Sequence, residues 1–462
     1  MKRNNNKNAN QKRTRQQQER QARYANPSTA NDIVVDFNAA GRLQGLVHGA
    51  GRRQVRGITI DTERARLLDD GIFMTPTDDG GWRIEASLAD VPALVPNQHP
   101  MELFARRHEK GFGADKPLFN YKFLQNCISL QQGQKRPAVT FTFVLDADLN
   151  LQSCAVERTV FENLKQCNDN DIVRELAKGD PDVKRWTDLG HRLHEKRTKE
   201  MAQICNNLAV NDNIQPTSEP AFPPHPGYEG TDLVHEIMRM TNLAAAEYFV
   251  DNKLPAPFKQ AQGFFKVLHV SKDFNFDLEC NRIALDVIET IIRTSPPYAK
   301  VSSPMQKYRD FLGLKIMTRH LDGKTVQMSD AKEVTRLTTN FNQAATKQDH
   351  TTQPGWHMTW VEHRDAQGTT SPHFADERNP ATDIGALRKE CSARRMKMPQ
   401  MAERLLLVNG VDIVMVALKC DQTVTWAAHY DATTALNMAA KRMMRRLSSA
   451  ASGAAPTHSP AP

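Results

Sequence analysis

The chain has 462 residues, of which 39% are apolar, so it is long and apolar enough for a sizeable core and two or three domains. No run approaches the roughly 18 apolar residues of a membrane-spanning helix, and the N-terminus lacks the apolar segment of a signal peptide. The seven cysteines lie far apart without a CxxC pair, which argues against a zinc module or disulfide framework and predicts a cytoplasmic protein.

The N-terminal segment holds most of the chain's net charge of +8, because residues 1–24 carry eight basic side chains and one acidic side chain. Asn and Gln are abundant there and apolar residues are almost absent, which predicts a disordered basic tail over 1–30. Such a tail is typical of contact with nucleic-acid phosphates. A solubilising tail without a specific partner is the alternative.

After a short lead-in over 31–56, alternating apolar residues predict a strand-rich region. The sequence TDDGG at 77–81 and the residues around 147–150 have the composition of hairpin turns. Two hairpins are therefore predicted, with strands over 71–75, 81–90, 138–146 and 151–161.

The rest of the chain has mainly helical spacing, with a proline-rich loop predicted at 211–230. Helices are predicted over 170–208, from 231 onward, over 278–294 and over 383–407. A small C-terminal hairpin and a basic helix are predicted over 405–447, followed by a disordered tail at 448–462. The pattern as a whole indicates an α+β protein.

Three aspartates crowd into one short stretch: Asp61, Asp69 and Asp70. Carboxylates a few ångströms apart repel by roughly 3–4 kcal/mol at an effective dielectric constant of about 20, so such a site raises a pKa or binds a cation. Oxygen ligands suit Mg²⁺ or Mn²⁺, which bind phosphates and activate water. The alternative is a surface cluster without a ligand, as expected for the turn pair Asp78 and Asp79.

The stretch ITIDTERARLLDDGIF resembles the metal-binding motif of the ribonuclease II / ribonuclease R family, which lies in the RNB catalytic domain. Similar segments follow in the same order at 84–95, 125–130, 233–259, 297–312 and 391–404. The resemblance implies an RNB-type catalytic domain over 57–404, with a mixed β-sheet core and flanking helices. Relatives usually add cold-shock and S1 domains, and we expect neither in residues 1–56 or 405–447.

The resemblance carries over to single residues. It implies that Asp61, Asp69 and Asp70, which match three of four family aspartates, are the metal ligands. Leu67 stands where the family has its second aspartate, and Gln306 stands where the family has an arginine beside the scissile phosphate.

Losing one such transition-state donor typically costs about 10² to 10³ in rate. Arg309 lies three residues after Gln306, on nearly the same face of a helix, and is the candidate replacement. The other residues predicted to contact RNA or support the site are Phe112 as a base-stacking aromatic, Tyr308, Lys307, Glu403 near the terminal base, and Asp90.

The implied function is a 3′→5′ exoribonuclease that hydrolyses single-stranded RNA to nucleoside 5′-monophosphates with Mg²⁺ or Mn²⁺. Leu67 and Gln306 favour an alternative, a weakened or inactive RNB fold that acts as an RNA-binding or regulatory protein. A DNA nuclease is a third option, because nothing in the sequence reads the 2′-hydroxyl.

Other polar patterns are more simply explained as structure. His191 and His194 lie beside Glu195 in a strongly charged helix, which is typical of a solvated face. The His- and Trp-containing segment 349–363 is expected to be a structured loop. The basic residues at 441–446 either face solvent or contact phosphates.

Overall fold

The structure is a computed structural model. It describes residues 29–33, 35, 38–49, 51–111, 117–209, 229–258, 263–294, 296–337, 382–408, 411–429 and 431–451. The chain forms two compact units. The first comprises residues 1–191, 224–259 and 297–344, and the second comprises 192–223, 260–296 and 345–462. The span predicted as one domain, 57–404, therefore runs through both units. Residues 1–28 and 452–462 of the predicted tails and the loop at 211–228 lie outside the described residues, whereas residues 448–451, predicted to be disordered, extend the last helix.

Five strands form a closed barrel in the first unit. They are β1 Arg53–Ile60, β2 Asp70–Pro76, β3 Trp82–Ala89, β4 Lys135–Leu145 and β5 Leu151–Cys167. Successive strands pair antiparallel, and β1 closes the barrel by pairing in parallel with β5. Both predicted hairpins are confirmed, although the predicted lead-in ends too late because β1 already begins at Arg53.

Apolar side chains fill the barrel because they alternate along its strands, as β-strand geometry requires. The fully buried ones include Ile72, Ile84, Leu88, Phe141, Phe143 and Phe161. Gly71 lacks a side chain where the Phe161 ring packs, and a Cβ there would lie 2.4 Å from the ring. This close packing fixes the start of β2, the strand that begins with Asp70.

The main helices follow in chain order. They are α1 Ala39–His48, α2 Val91–Leu94, α3 Pro100–His108, α4 Asp169–Ala177, α5 Pro181–Ala209, α6 Glu229–Asp251, α7 Phe274–Thr294, α8 Tyr308–Leu321, α9 328–337, α10 Asp383–Ala393 and α11 Ala432–Ala451. A short helical segment also covers Tyr121–Phe123 and Leu124–Ile128. The helices predicted over 170–208, from 231 and over 278–294 are confirmed. Within the described residues, every helix is too short or too polar to cross a membrane.

The second unit is built on a four-stranded antiparallel sheet in the order β6-β7-β8-β9. Its strands are β6 Gly263–His269, β7 Gln400–Val408, β8 Val411–Cys420 and β9 Thr423–His429. Side chains of α7, including Ile288, pack with Leu406 and Met415 of the sheet. Helices α10 and α11 pack together with Val416 and Leu418. All seven cysteines are free thiols.

The prediction of one helix over 383–407 is wrong. Helix α10 ends at Ala393, and Arg395 adopts a left-handed conformation with φ of 56°. The amide of Met396 then bonds the carbonyl of Cys391 over 2.9 Å, which closes the helix end. Residues 400–408 form β7, so segment 391–404 is not a closing helix. The C-terminal hairpin and the basic helix are confirmed.

Candidate functional site

The three clustered aspartates lie at one end of the barrel. Asp61 follows the last residue of β1, and Asp70 is the first residue of β2, so antiparallel pairing brings these strand ends together. The amide of Asp61 bonds the carbonyl of Cys167, at the end of β5, over 3.0 Å. The carbonyl of Asp69 accepts a 2.8 Å bond from the amide of Ala89, at the end of β3.

The loop between these aspartates is fixed by the segment around residue 130. The amide of Leu68 donates to Oγ of Ser129 over 2.9 Å, and the carbonyl of Leu68 accepts from the amide of Leu130 over 3.1 Å. The Leu68 side chain is fully buried. Because Leu68 points into the core, the position of its neighbour Asp69 is set by the fold.

A second segment, leading into α8, bonds directly to this acidic cluster. The amide of Met305 donates to Oδ1 of Asp69 over 2.9 Å, and Nε2 of Gln306 donates to Oδ2 over 2.8 Å. Asp310 in α8 accepts a 3.0 Å bond from the amide of Ser303. Asp310 is not among the predicted site residues, but its charge helps to raise the pKa of Asp69, so it belongs to the acidic cluster.

Asn242, which no sequence pattern indicated, anchors the chain just before this segment. It lies buried in α6, and its Oδ1 accepts a 2.8 Å bond from the amide of Val301. Its Nδ2 donates to Oη of Tyr298 over 3.0 Å and to Oγ of Ser302 over 3.2 Å. Asn242 thereby helps to position Lys300, whose charge acts on the acidic cluster.

Burial raises the pKa values of all four carboxyl groups, and repulsion from neighbouring carboxylates adds to the rise at Asp69 and Asp70. Burial raises the pKa of Asp61 to about 7. Burial also raises the pKa of Asp69 to about 7, against the two hydrogen bonds that it accepts. The pKa of Asp70 lies well above its ordinary value because of burial and the charges of Asp61 and Asp69. Burial raises the pKa of Asp310 to about 6, against the charge of Lys300. The cluster therefore favours protons or a cation.

The donor chemistry fits a small divalent cation. Oδ2 of Asp61 is buried and accepts no hydrogen bond within the described part of the chain, whereas both oxygens of Asp69 already accept one. Mg²⁺ typically uses one or two carboxylates together with waters and substrate phosphates, so Asp61 and Asp70 suffice as its protein ligands. The predicted centre of three carboxylates is not formed: among the described residues, no three acidic, His or Cys side chains are arranged to hold a metal ion.

A cavity of about 360 Å³ lies beside Gln306. Its lining includes Leu67, the backbone turn at Ala65, and the exposed Arg64 and Arg66. The wall is apolar at Leu67, where an aspartate would have added charge, and cationic at the two arginines. The cavity therefore suits an anionic ligand better than it suits a second metal ion.

The candidate replacement for the missing arginine points elsewhere. Nη2 of Arg309 lies 3.4 Å from the carbonyl oxygen of Leu337 in α9, as a long hydrogen bond. Lys307 caps the start of α8, and its backbone pairs with Lys110. The structure thus brings Gln306, but not the guanidinium of Arg309, into contact with Asp69.

Two predicted site residues are structural. Tyr308 is fully buried, and its hydroxyl accepts a 3.3 Å bond from Nε of Arg106, so it is not available to stack on RNA. Asp90 is also fully buried, and its Oδ2 pairs with Arg158 over 2.6 Å and with Arg52 over 3.2 Å. Neither side chain reaches the surface, which argues against direct contact with RNA, while a supporting role of Asp90 at the site stays a prediction.

The remaining predicted residues lie in the second unit or outside the described part of the chain. Glu403 lies in β7 of the second unit, opposite Val416, rather than on a helix. Phe112 and the segment 349–363 lie outside the described residues. Arg442 in the basic helix α11 is buried and donates to the carbonyl of Trp426 over 2.6 Å, so it is not a phosphate ligand.

The RNB domain family matches residues 52–266, which include the whole barrel. Exoribonuclease 2 of Sodalis glossinidius (strain morsitans) is 27% identical over 147 residues, which are 30% of this chain and 22% of that protein. Exoribonuclease 2 of Yersinia pseudotuberculosis serotype IB is 22% identical over 289 residues, which are 60% of this chain and 42% of that protein. The chain thus spans less than half the length of these curated relatives.

Two solved structures are similar to the chain. RNase R of Mycoplasma genitalium in complex with double-stranded RNA has a TM-score of 0.47 and 14% identity, and the match covers 69% of each chain. Yeast Ssd1, described as a pseudonuclease, has a TM-score of 0.43 and 11% identity, over 68% of this chain and 45% of Ssd1. The family match includes the acidic end of the barrel: residues 52–266 match the RNB domain family, and the chain is similar to curated exoribonuclease 2 proteins.

Proposed function

We propose that this protein is a metal-dependent exoribonuclease that shortens single-stranded RNA from its 3′ end and releases nucleoside 5′-monophosphates. The observation that carries the proposal is the cluster of four carboxyl groups, Asp61, Asp69, Asp70 and Asp310, at one end of an RNB-type barrel. Carboxyl groups with pKa values raised by burial are characteristic of functional sites. A cluster of this kind with only a structural role would lower the stability of the folded protein and would serve no function.

The residues have different roles in this proposal. Asp61 and Asp70 would hold Mg²⁺ or Mn²⁺, which when bound offsets phosphate charge and lowers the pKa of a coordinated water. Asp69 accepts a main-chain bond from Met305 and so holds the 303–310 segment against the barrel, whereas Asp310 accepts a main-chain bond from Ser303 within that segment. Arg64 and Arg66 supply cationic charge at the cavity, where the RNA phosphates would enter.

A second candidate function is an RNB fold that binds RNA without hydrolysing it. The specific observation in its favour is that Gln306 donates to Asp69, so that a neutral amide occupies the position where the family has an arginine. Leu67 also leaves the cavity wall without a carboxylate. Both features weaken phosphate activation while leaving a cationic cavity beside the barrel.

The deciding experiment uses a 5′-labelled single-stranded RNA, the DNA of the same sequence, and Mg²⁺ or Mn²⁺. The full-length protein is compared with Asp70→Asn and with Glu63→Gln, which changes an exposed acidic residue of the same loop. Metal-dependent release of 5′-monophosphates that is lost only in Asp70→Asn supports the nuclease. RNA binding without shortening supports the second candidate, preferential shortening of DNA supports a DNA nuclease, and the absence of both binding and shortening refutes all three.

A further inference from the structure

The second unit carries a basic surface that the proposed reaction does not use. This helix-end surface consists of residues 388–397, at the end of α10 and in the following turn, and residues 441–447 in α11. The first segment has five cationic residues and one carboxylate, and the second has four cationic residues and no carboxylate. The single carboxylate, Glu390, is already paired with Arg394.

The two segments lie side by side. Nη1 of Arg394, just after α10, donates to the carbonyl of Leu447 in α11 over 2.9 Å. Cys391 and Leu447 also belong to the same buried cluster, between the two helices and the sheet. The two segments therefore meet on one side of the unit, where their cations other than the buried Arg442 contribute to the surface.

Cations near the ends of helices often serve only to stabilise the helix dipole and the last carbonyls. Arg394 and Arg446 are likewise used within the fold, since Arg394 donates to the carbonyl of Leu447 in α11 and Arg446 donates to the carbonyl of Val424 in β9. In contrast, Arg395, Lys397 and Arg445 are exposed, and their side chains make no hydrogen bond or ion pair in the described part of the chain. Because the fold does not use these three cationic side chains, they are available to an external anion.

The chemistry of the surface favours a nucleic-acid duplex over a single strand. Proteins that bind single strands stack bases on aromatic side chains, and neither segment contains an aromatic residue. Duplex RNA is recognised through its phosphates, 2′-hydroxyls and shape. The stretch α10-β7-β8-β9-α11, with both helices on one face of the antiparallel strands, has the element order of double-stranded-RNA-binding domains, although β6 adds a fourth strand to the sheet here. Fold order alone does not establish a ligand, but here the charge agrees with it.

We propose that the helix-end surface binds the phosphate backbone of double-stranded RNA, as a second RNA site formed by residues other than the acidic cluster. Arg395, Lys397 and Arg445 contact phosphates, while Arg394 joins the end of α10 to α11 and Arg446 joins α11 to β9. Binding here is independent of hydrolysis and goes beyond the function proposed above.

The test measures binding of the full-length protein to a blunt RNA duplex by fluorescence anisotropy, in EDTA and over a range of salt concentrations. The duplex has about 20 base pairs, which is long enough for a duplex-binding module. The variant Arg395→Gln/Lys397→Gln/Arg445→Gln is compared with Lys178→Gln/Lys184→Gln/Arg185→Gln, which removes three exposed cations from the first unit. We expect the first variant to bind the duplex at least about tenfold more weakly and to lower the salt slope by about 3. The control should retain the wild-type affinity and slope.

Circular dichroism melting establishes that both variants are folded. The proposal is overturned if the wild type does not bind the duplex, if both variants lose affinity equally, or if the helix-end variant loses single-strand binding as strongly as duplex binding. Because the assay contains EDTA, it does not depend on catalysis. An inactive protein that still binds duplex through these residues would refute the proposed function while supporting this site.

Discussion

Nε2 of Gln306 donates a 2.8 Å hydrogen bond to Oδ2 of Asp69, while the Met305 amide donates to the other carboxylate oxygen. A buried carboxylate of the barrel is thus held by two neighbouring residues of a distant segment. The contact joins the start of α8 to the barrel and occupies both oxygens of a predicted metal ligand.

Replacing Gln306 by alanine should destabilise the protein. The substitution leaves one oxygen of the buried Asp69 without its partner, and an unsatisfied buried polar group costs about 1–3 kcal/mol. The matched control is Gln152→Ala, which removes a 2.8 Å bond to the solvent-exposed carboxylate of Asp146. Urea unfolding should show a loss only for Gln306→Ala, and equal losses in both variants would contradict the structural role of the bond.

Replacing Gln306 by arginine should increase hydrolysis if the protein is a nuclease. An arginine provides a planar pair of charged donors to a phosphate, whereas the amide provides one neutral donor. We expect the single-turnover rate of RNA shortening to rise by about 10² to 10³, the reverse of losing such a donor. Gln306→Lys is the control, because it restores charge without the paired geometry. A rate for Gln306→Arg no higher than that of the wild type would argue against this assignment.

Replacing Leu67 by aspartate should strengthen metal binding. Leu67 is half-buried in the cavity wall beside the acidic cluster, where a carboxylate adds an oxygen ligand and negative charge. Mn²⁺ binding, followed by isothermal calorimetry, should become about tenfold tighter, equivalent to about 1.4 kcal/mol. Leu67→Asn is the control because it has nearly the same shape without the charge. An equal gain in both variants would show that polarity, rather than a new charged ligand, is responsible.

The barrel was largely predictable because its information is local. Strands such as β3 alternate apolar and polar residues, and a compact turn joins each predicted pair, so the period of two identifies them without knowledge of their partners. The closure of the barrel by parallel pairing of β1 and β5 was not predicted, because it joins segments about a hundred residues apart. No local pattern encodes such a contact.

The second unit was harder to predict for the same reason. The sequence QMAERLLLV has a helix-like composition, yet it forms β7 because β6 and β8 pair with it on both sides. Similarly, the resemblance placed Tyr308 and Asp90 near the site, but spacing does not reveal whether a side chain points inward. Asp310 and Asn242 enter the site only through tertiary contacts.

Replacing Asp90 by asparagine tests the distinction between a site residue and a structural one. The substitution removes the buried negative charge between Arg52 and Arg158, and breaking one partner of a buried pair costs about 3–5 kcal/mol. Asp322→Asn is the control, because Asp322 pairs with Arg158 nearer the surface and should cost about 1 kcal/mol or less. Urea unfolding gives both values. RNA affinity of the folded Asp90→Asn protein should equal that of the wild type, and a selective loss of affinity would restore a direct role for Asp90.

The metal-free protein should become less stable as the pH rises. In the folded state the pKa values of Asp61 and Asp69 are about 7, whereas the ordinary value is 3.8. Between these values the folded state keeps protons that the unfolded state has released. The contribution of these two groups to the free energy of unfolding is therefore fully present below about pH 4 and is lost as the pH rises through about 7. Urea unfolding in EDTA at pH 5 and pH 8 should therefore show lower stability at pH 8. Added Mg²⁺ should recover part of the loss at pH 8, because the cation replaces the released protons.

The variant Asp61→Asn identifies the groups responsible, because it removes one of the titrating carboxyl groups and should make the fall in stability shallower. Asp79→Asn is the matched control. Hydrogen bonds with Thr77 and Gly81 lower the pKa of Asp79, so that it is ionised throughout this pH range in both states and contributes nothing to the slope. A pH dependence of stability in Asp61→Asn equal to that of the wild type would show that Asp61 is not one of the titrating groups. A Mg²⁺ effect that persists unchanged in the variant would show that the cation binds elsewhere.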